Sequence, residues 1–360
     1  MAEPTATRRK RVTIHTVAAA AGVSIGTVSN VLNNHHHRMA AETRETVLRV
    51  ARGLGYRPNR IAKSLVTRRT ATLGLIVSDI TNPLYPPAID GVERQARASG
   101  WHVILASARD AAAQAEAAHL LLDQHVDGLI VFATSQQADD HYLCELAADG
   151  VLIVTINRVI DDPRIAQVRF DNQGGAEAVV DHLVGLGHSH IAHLAGPRTR
   201  LTALQRLAGY RAALARHGVP WREDYVQSGD YSFEHGVIAT QVVLTCRPRP
   251  TAIFAASEAS ALGAYRALRA AGLRVPEDIS LAAFGHPEYL SYCTPTLTTA
   301  SLPVVEAGER AAQLLLARVT APHESVPAPV VLPATLVVGT STAPPGAAHA
   351  SADACAPAQT

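Results

Sequence analysis

Residues 22–26 read Gly-Val-Ser-Ile-Gly, the G-x-S-x-G spacing that in hydrolases lifts a serine nucleophile onto a sharp strand-to-helix elbow. That elbow needs a strand in front of it. Here an alanine-rich run with helical spacing precedes it and no triad order follows, so Ser24 is expected to cap a helix rather than attack a substrate. His35, His36 and His37 are adjacent on one loop and point in different directions, which suits solvation better than a metal. His188, His190 and His193 have strand spacing, not the i, i+4 spacing that puts two imidazoles on one helix face. Gly185-Leu186-Gly187 lacks the third glycine of a dinucleotide fingerprint and follows a helix. Cys144, Cys246, Cys293 and Cys355 lie far apart without a CxxC pair, so buried free thiols are expected rather than a disulfide frame or a zinc knuckle. No catalytic constellation, metal or cofactor is expected.

Charge is the stronger signal. The 360 residues carry 32 Lys+Arg and 31 Asp+Glu, a formal +1 that hides an asymmetry: residues 1–70 carry +10 and the remainder −9. A basic segment of this kind points to nucleic acid or another anionic partner. With 48% hydrophobic residues the chain can bury sizeable cores and is expected to hold more than one domain. No window approaches 18 consecutive apolar residues, and no apolar run follows the basic residues 1–11, so neither a membrane span nor a secretory signal is read and a cytoplasmic location is expected.

These residues need elements to position them. Residues 1–11 read as a flexible basic arm. Thr13 can cap a helix carrying Ile14, Val17, Ala18 and Ala21 that Gly22 breaks; Ser24 can cap a second, with Val28, Val31 and Leu32 on one face. Two short helices joined by a glycine turn make a helix-turn-helix, and a third helix over 42–54 completes a head at residues 12–56. Residues 60–66 allow a helix too short to stand alone, within a hinge and linker over 57–70. From residue 71 apolar runs at 73–77, 103–106, 128–132, 151–156, 191–195, 252–256 and 279–284 alternate with helical stretches, and Gly100, Gly150 and Gly272 sit where C-terminal caps belong. Strands this apolar are expected to be buried on both faces. The fold class is therefore an all-α head plus an α/β body of two doubly wound parallel-sheet subdomains, with a ligand cleft at the carboxyl ends of their strands. The body is assigned to 71–340, with an N-lobe of about 71–166 and 294–320 and a C-lobe of about 167–293 and 321–340. Residues 341–360, rich in Ala, Pro, Gly and Ser, read as a disordered tail.

The head sequence VTIHTVAAAAGVSIGTVSNVLN (12–33), ETR (42–44), GYRPN (55–59) and AKSL (62–65) closely resembles the lac repressor family of bacterial transcription regulators. The body resembles it too: GLIV (74–77), Asn82-Pro83, Gly187-His188, AGP (195–197), RLAGY (206–210), ALG (261–263), VPEDIS (275–280) and PTLTT (295–299). The likeness spans about residues 12–340. It implies a DNA-binding regulator, a repressor, acting as a homodimer on a pseudo-palindromic double-stranded operator and controlled by a small effector of the sugar or nucleoside class between the lobes. A solute-binding protein with the same body and no regulatory DNA binding is the alternative, which the basic head argues against.

Residue by residue, the resemblance places Ile25, Gly26 and Asn30 at base-reading positions and Ile14, His15 and Asn33 at phosphate contacts. The hydroxyls of Ser24, Thr27 and Ser29 suit phosphate oxygens. Asn30 can pair with adenine and Ile25 can touch a thymine methyl. Asn59, Ala62, Lys63 and Leu65 fall on the family's hinge helix, which folds on DNA, and Leu65 would be the minor-groove wedge. Arg206 stands where the family grips its ligand, Leu84 and Tyr85 in its N-lobe contact region, and Tyr231 where an aromatic stacks. Asp171, with Asn172, is either a pocket edge or the cap of the helix from Gly174. Two departures bear on the ligand: Ser257-Glu258 replaces an Asn-Asp pair common in relatives, and Gly285-His286 replaces a ligand-gripping Asp. Glu258 and His286 are therefore candidate effector contacts, and the second departure removes a bidentate acceptor for sugar hydroxyls.

Overall fold

The computed structural model describes residues 12–32, 40–56, 69–132, 140–285, 288–322 and 324–346, and divides the chain into two units, residues 1–70 and 71–360. Three helices build the described part of the first unit: α1 (Ile14–Ala21), α2 (Ile25–Leu32) and α3 (Ala41–Gly53). Thr13 and Thr16 close a capping box on α1, and Gly22, at φ +66, ends it in the left-handed conformation that most side chains avoid. The Ser24 hydroxyl accepts from the Thr27 amide at 3.0 Å, so α2 starts where the sequence expects, and the two axes meet at 106°. Val17, Ala18, Val28, Val31, Val47 and Ala51 form the core. No single described helix is long and apolar enough to cross a membrane; α1 and α2 pass such a test only as a bent pair, and their apolar faces are spent on this core.

The second unit holds the strands β1 (Thr72–Val77), β2 (His102–Ser107), β3 (Leu129–Phe132), β4 (Ile153–Ile156), β5 (Ala166–Phe170), β6 (Ile191–Ala195), β7 (Val226–Ser228), β8 (Ala252–Ala255), β9 (Ser280–Phe284), β10 (Thr298–Ser301), β11 (Val330–Leu332) and β12 (Thr335–Val337). Its described helices are α4 (Tyr85–Ala98), α5 (Ala111–Asp123), α6 (His141–Ala148), α7 (Asn172–Gly185), α8 (Leu201–Arg216), α9 (Phe233–Val243), α10 (Glu258–Ala270) and α11 (Val304–Thr320). The strands form two sheets, β11-β5-β4-β3-β1-β2 and β12-β10-β9-β8-β6-β7. Every pairing is parallel except β10 with β12. All seven apolar runs are strands, and Gly100, Gly150 and Gly272 end their helices with positive φ.

The lobe boundaries differ from those read in the sequence. Residues 298–301, placed above in the N-lobe, are β10 of the second sheet, in register with β9. Residues 330–332, placed in the C-lobe, are β11 of the first sheet, beside β5. The chain thus crosses between sheets three times, near Asp171, Leu302 and Pro333. The tail also differs. Ser341 is fully buried; its backbone carbonyl accepts from the Leu281 amide at 2.9 Å and its hydroxyl from the Thr298 amide at 2.9 Å. The free backbone groups of β9 and β10 bind these small residues, so order extends past 340, while residues 347–360 lie outside the described set. Nor is β2 buried on both faces: Ile104 and Leu105 are 37% and 42% exposed, because β2 is an edge strand.

Helix α11 locks onto α4 through glycines. A Cβ on Gly91 would stand 2.2 Å from the Val305 carbonyl oxygen, and one on Gly308 2.2 Å from that of Ala88. Overpacking so tight a crossing costs about 1–3 kcal/mol. Gly308→Val is therefore expected to lower the melting midpoint of the body by about 5 °C or more in calorimetry, and an unchanged midpoint would mean that the two helices part freely.

Candidate functional site

In the head, the apolar positions of α2 point inward and leave the opposite face open. Ile25, Gly26 and Asn30 are exposed there with Ser24, while Thr27 and Ser29 are half-buried. His15 is exposed on α1 and Ile14 is half-buried. Ser24 is occupied as a cap, sharing a 2.8 Å hydrogen bond with the Thr27 hydroxyl, so it is no nucleophile. Asn33, Asn59, Ala62, Lys63 and Leu65 lie outside the described residues, as do His35, His36 and His37.

In the body, the carboxyl ends of the strands enclose a cavity of about 280 Å³. From the first sheet come Phe132, Asn157, Arg158 and Arg169; from the segments that follow β5 and β6 come Asp171, Asn172, Arg200 and Gln205. A smaller cavity of about 160 Å³, lined by Glu258, Gly285, Glu288 and Val304, shares Leu84 with the first.

Arg206 is a buried charge beside this region, on the wall of neither cavity. It projects from α8, its Nε donating to Asn172 Oδ1 at 3.0 Å and its Nη1 to the Ala256 carbonyl, and its guanidinium lies 3.8 Å from the Phe284 ring centroid. Burial pulls its pKa down, yet a guanidinium stays charged, and among the described residues no carboxylate forms an ion pair with it. Because the Asn172 oxygen faces Arg206, the amide nitrogen donates toward Asn157 Oδ1 and Gln205 Oε1, each at 3.2 Å. Asn157 follows β4 of the first sheet and Arg206 belongs to the second lobe, so one amide bridges the two lobes. Asp171 both lines the cavity and caps α7, its Oδ1 accepting from the Gly174 amide at 2.8 Å. Glu258, in the first turn of α10, has its pKa pushed up by burial, with Arg206 opposing.

Two expected contacts are placed elsewhere. Tyr85 is buried in the N-lobe core, edge-on to Phe132 at 4.9 Å, because at the start of α4 its ring points under β1 and β3 rather than into the opening. Tyr231 lines neither cavity. Its backbone is held at φ +70, where a tyrosine is strained, by the Ser257 hydroxyl donating to its carbonyl at 3.0 Å, and its ring lies 5.5 Å from the Arg206 guanidinium. His286 lies outside the described residues. Sequence reasoning missed Asn157, Arg158, Arg169 and Arg200, which no motif marks; their position just after or at the ends of strands was the available signal.

His188 and His193 are structural. His188 bonds the Thr251 hydroxyl at 2.8 Å, and His193 sits in β6 between the rings of Tyr210 and Phe254, its Nδ1 3.0 Å from the Phe254 carbonyl. Among the described residues no group of His, Cys, Asp and Glu could hold a metal, and Cys144, Cys246 and Cys293 are free but half-buried rather than buried. Burial pulls the pKa of His193 from 6.5 to about 4, with the charges of Arg206 and His235 adding to the effect. The unfolded chain therefore binds a proton that the folded one refuses, and stability falls as pH drops from 6.5 to about 4. The loss from this residue is up to roughly 3 kcal/mol, and His193→Gln is expected to flatten that part of a stability-against-pH curve; an unaltered slope would assign it to other groups.

A three-helix head with an open recognition face, carried on a two-lobed α/β body with a cavity at its strand ends, defines a helix-turn-helix transcription regulator. Residues 13–59 match the family model for bacterial regulatory proteins of the lacI family, and residues 180–342 match a periplasmic binding protein-like domain. The HTH-type transcriptional regulator CelR of Thermobifida fusca is 36% identical over 336 residues, 92% of this chain and 98% of its own. Among solved structures, the lac repressor dimer bound to operator and the anti-inducer ONPF aligns with a TM-score of 0.80 at 31% identity over 93% of this chain and 100% of that one. A CelR–cellobiose complex aligns with a TM-score of 0.70 at 33% identity over 92% and 100%. The chain belongs to the lacI family of bacterial regulatory proteins, which are transcription regulators and not enzymes.

Proposed function

We propose that the protein is a repressor that binds a pseudo-palindromic operator as a homodimer and changes its hold on DNA when a small polyhydroxy effector enters the body cleft. The observation that carries the effector reading is the Arg206–Asn172–Asn157 chain: a buried cation that, among the described residues, forms no ion pair with a carboxylate and is tied through one amide to the opposite lobe. A ligand that bonds these groups changes how the lobes close, and closure is the two-state element that effector and DNA both bias. The sugar class is supported by the CelR relative, whose structure is a complex with cellobiose. Leu84, Asp171, Arg206 and Glu258 are the effector contacts we retain from the sequence; Tyr231 acts as packing for Arg206. On the DNA side, Ile25, Gly26 and Asn30 read bases while Ser24, Thr27, Ser29, Ile14 and His15 hold phosphates, with Asn33 and the hinge residues Asn59, Ala62, Lys63 and Leu65 assigned by resemblance. A second copy is the natural cover for the exposed Ile104 and Leu105 of edge strand β2.

The test is an electrophoretic shift of genomic fragments against excess competitor DNA. A discrete set of retained fragments sharing an inverted repeat is expected, and retention without sequence preference would defeat the reading.

A further inference from the structure

We infer that the effector is an anion, a polyhydroxy compound carrying a carboxylate or phosphate, seated with its charged group between Arg169 and Arg200 and its hydroxyl end toward Glu258. This rests on the reading of the cleft as the effector site and narrows the class of ligand. The argument is a charge balance around the larger cavity. Arg158 is neutralised there by Asp140, which its Nε meets at 2.6 Å, and steadied by Gln114 Oε1 at 3.0 Å. Asp171 is spent on the N-terminus of α7. That accounts for both carboxylates on the wall of this cavity among the described residues.

Among the described residues, two guanidinium groups on this wall, Arg169 and Arg200, form no ion pair with an acid. Arg169 directs Nε and Nη2 to a single oxygen, Gln167 Oε1, at 3.1 and 2.7 Å, and burial lowers its pKa. Among the described residues the Arg200 side chain makes no hydrogen bond, and its guanidinium lies 6.0 Å from the Tyr231 ring. Arg206, on the wall of neither cavity, bonds two neutral oxygens and feels the charge of Glu258. A guanidinium offers five donors in a planar fork suited to carboxylate and phosphate oxygens, and partly dehydrated like charges around one cavity repel until an anion enters. Neutral hydroxyls satisfy donors but leave the charge uncompensated. The opposite cavity has the reverse character. Glu258 lies there with Glu288, and a carboxyl group bonds hydroxyls; burial raises the Glu258 pKa, with Arg206 opposing. Leu84 lines both spaces, so one ligand can reach from the arginines to the acid.

The test is calorimetric titration of the full-length protein with matched probes: D-glucose against D-glucuronate and D-glucose 6-phosphate, and cellobiose against cellobionate. At least one acid is expected to bind tenfold or more tightly than its neutral partner, and its affinity to fall about tenfold or more in Arg200→Met and in Arg169→Gln, the loss of one charge-assisted hydrogen bond. The carboxylate and phosphate arms separate the two sources of charge. If the neutral sugars bind as well as the acids, or if the acids bind equally to both variants, the anion class is overturned and the effector site stands. If no probe of either kind binds, the effector reading falls and the anion class with it.

Discussion

Raising salt from 50 to 200 mM is expected to cost operator affinity a factor of about 10³–10⁵, as for proteins that make six to ten phosphate contacts. The charge sits where such contacts need it: residues 1–70 carry +10, and a homodimer brings two such heads to one duplex. Each phosphate neutralised frees a condensed counterion, so the slope of log affinity against log salt counts the contacts. The open face of α2 adds little to that slope, because Ile25, Gly26 and Asn30 are uncharged. Fluorescence anisotropy with a retained fragment should therefore give similar slopes for operator and random DNA, the operator bound more tightly at every salt. A flat salt response would mean that the basic residues of the head do not face the phosphates.

Arg206→Met is expected to abolish the effector response. The substitution keeps much of the apolar stem against Phe284 but removes both donors and leaves Asn172 Oδ1 without its partner. Hydrogen bonds to a charged group are worth about 1.5–3 kcal/mol each, so ligand affinity should drop by about a hundredfold or more. The readout is the rise in melting midpoint caused by whichever sugar or sugar acid stabilises the natural protein; in the variant that rise should vanish while a cooperative transition remains. Arg206→Lys should not rescue it, since a point ammonium cannot reproduce a planar group stacked on one ring and forked between two oxygens. A full ligand-induced rise in Arg206→Met would remove the residue from the site.

Much of the architecture is legible without coordinates because it is local. Thr13, Ser24 and Gly22 specify helix ends through their own side chains or their lack of one, and the continuous run Ile191–Ala195 reads as a strand buried on both faces, which it is. Two of the strands that escape notice, β5 and β10, are rich in polar residues. In β5, Gln167 clamps the preceding loop, donating to the Ile160 carbonyl at 2.6 Å and accepting from the Ile160 amide at 3.2 Å. In β10, Thr298 and Thr299 are fully buried, and the Thr298 hydroxyl accepts from the Gly339 amide at 3.0 Å. Alternation of apolar residues cannot reveal such strands, since hydrogen bonds to distant loops make their burial tolerable.

By itself the sequence determined the class of protein: where the charge divides, which residues cap α1 and α2, which face of α2 is left open, and that the body is built of parallel strands and covering helices. Tertiary structure alone decided which residues share the cleft. The three crossings between sheets carry β10 and β11 to lobes opposite those their order suggests, Tyr85 turns into the core, and Leu84 and Arg200, far apart in the chain, come to line one cavity. The physical reason is range: caps and periodicity act over a few residues, whereas a binding site is set by pairing and packing between segments a hundred or more residues apart, which no local pattern encodes.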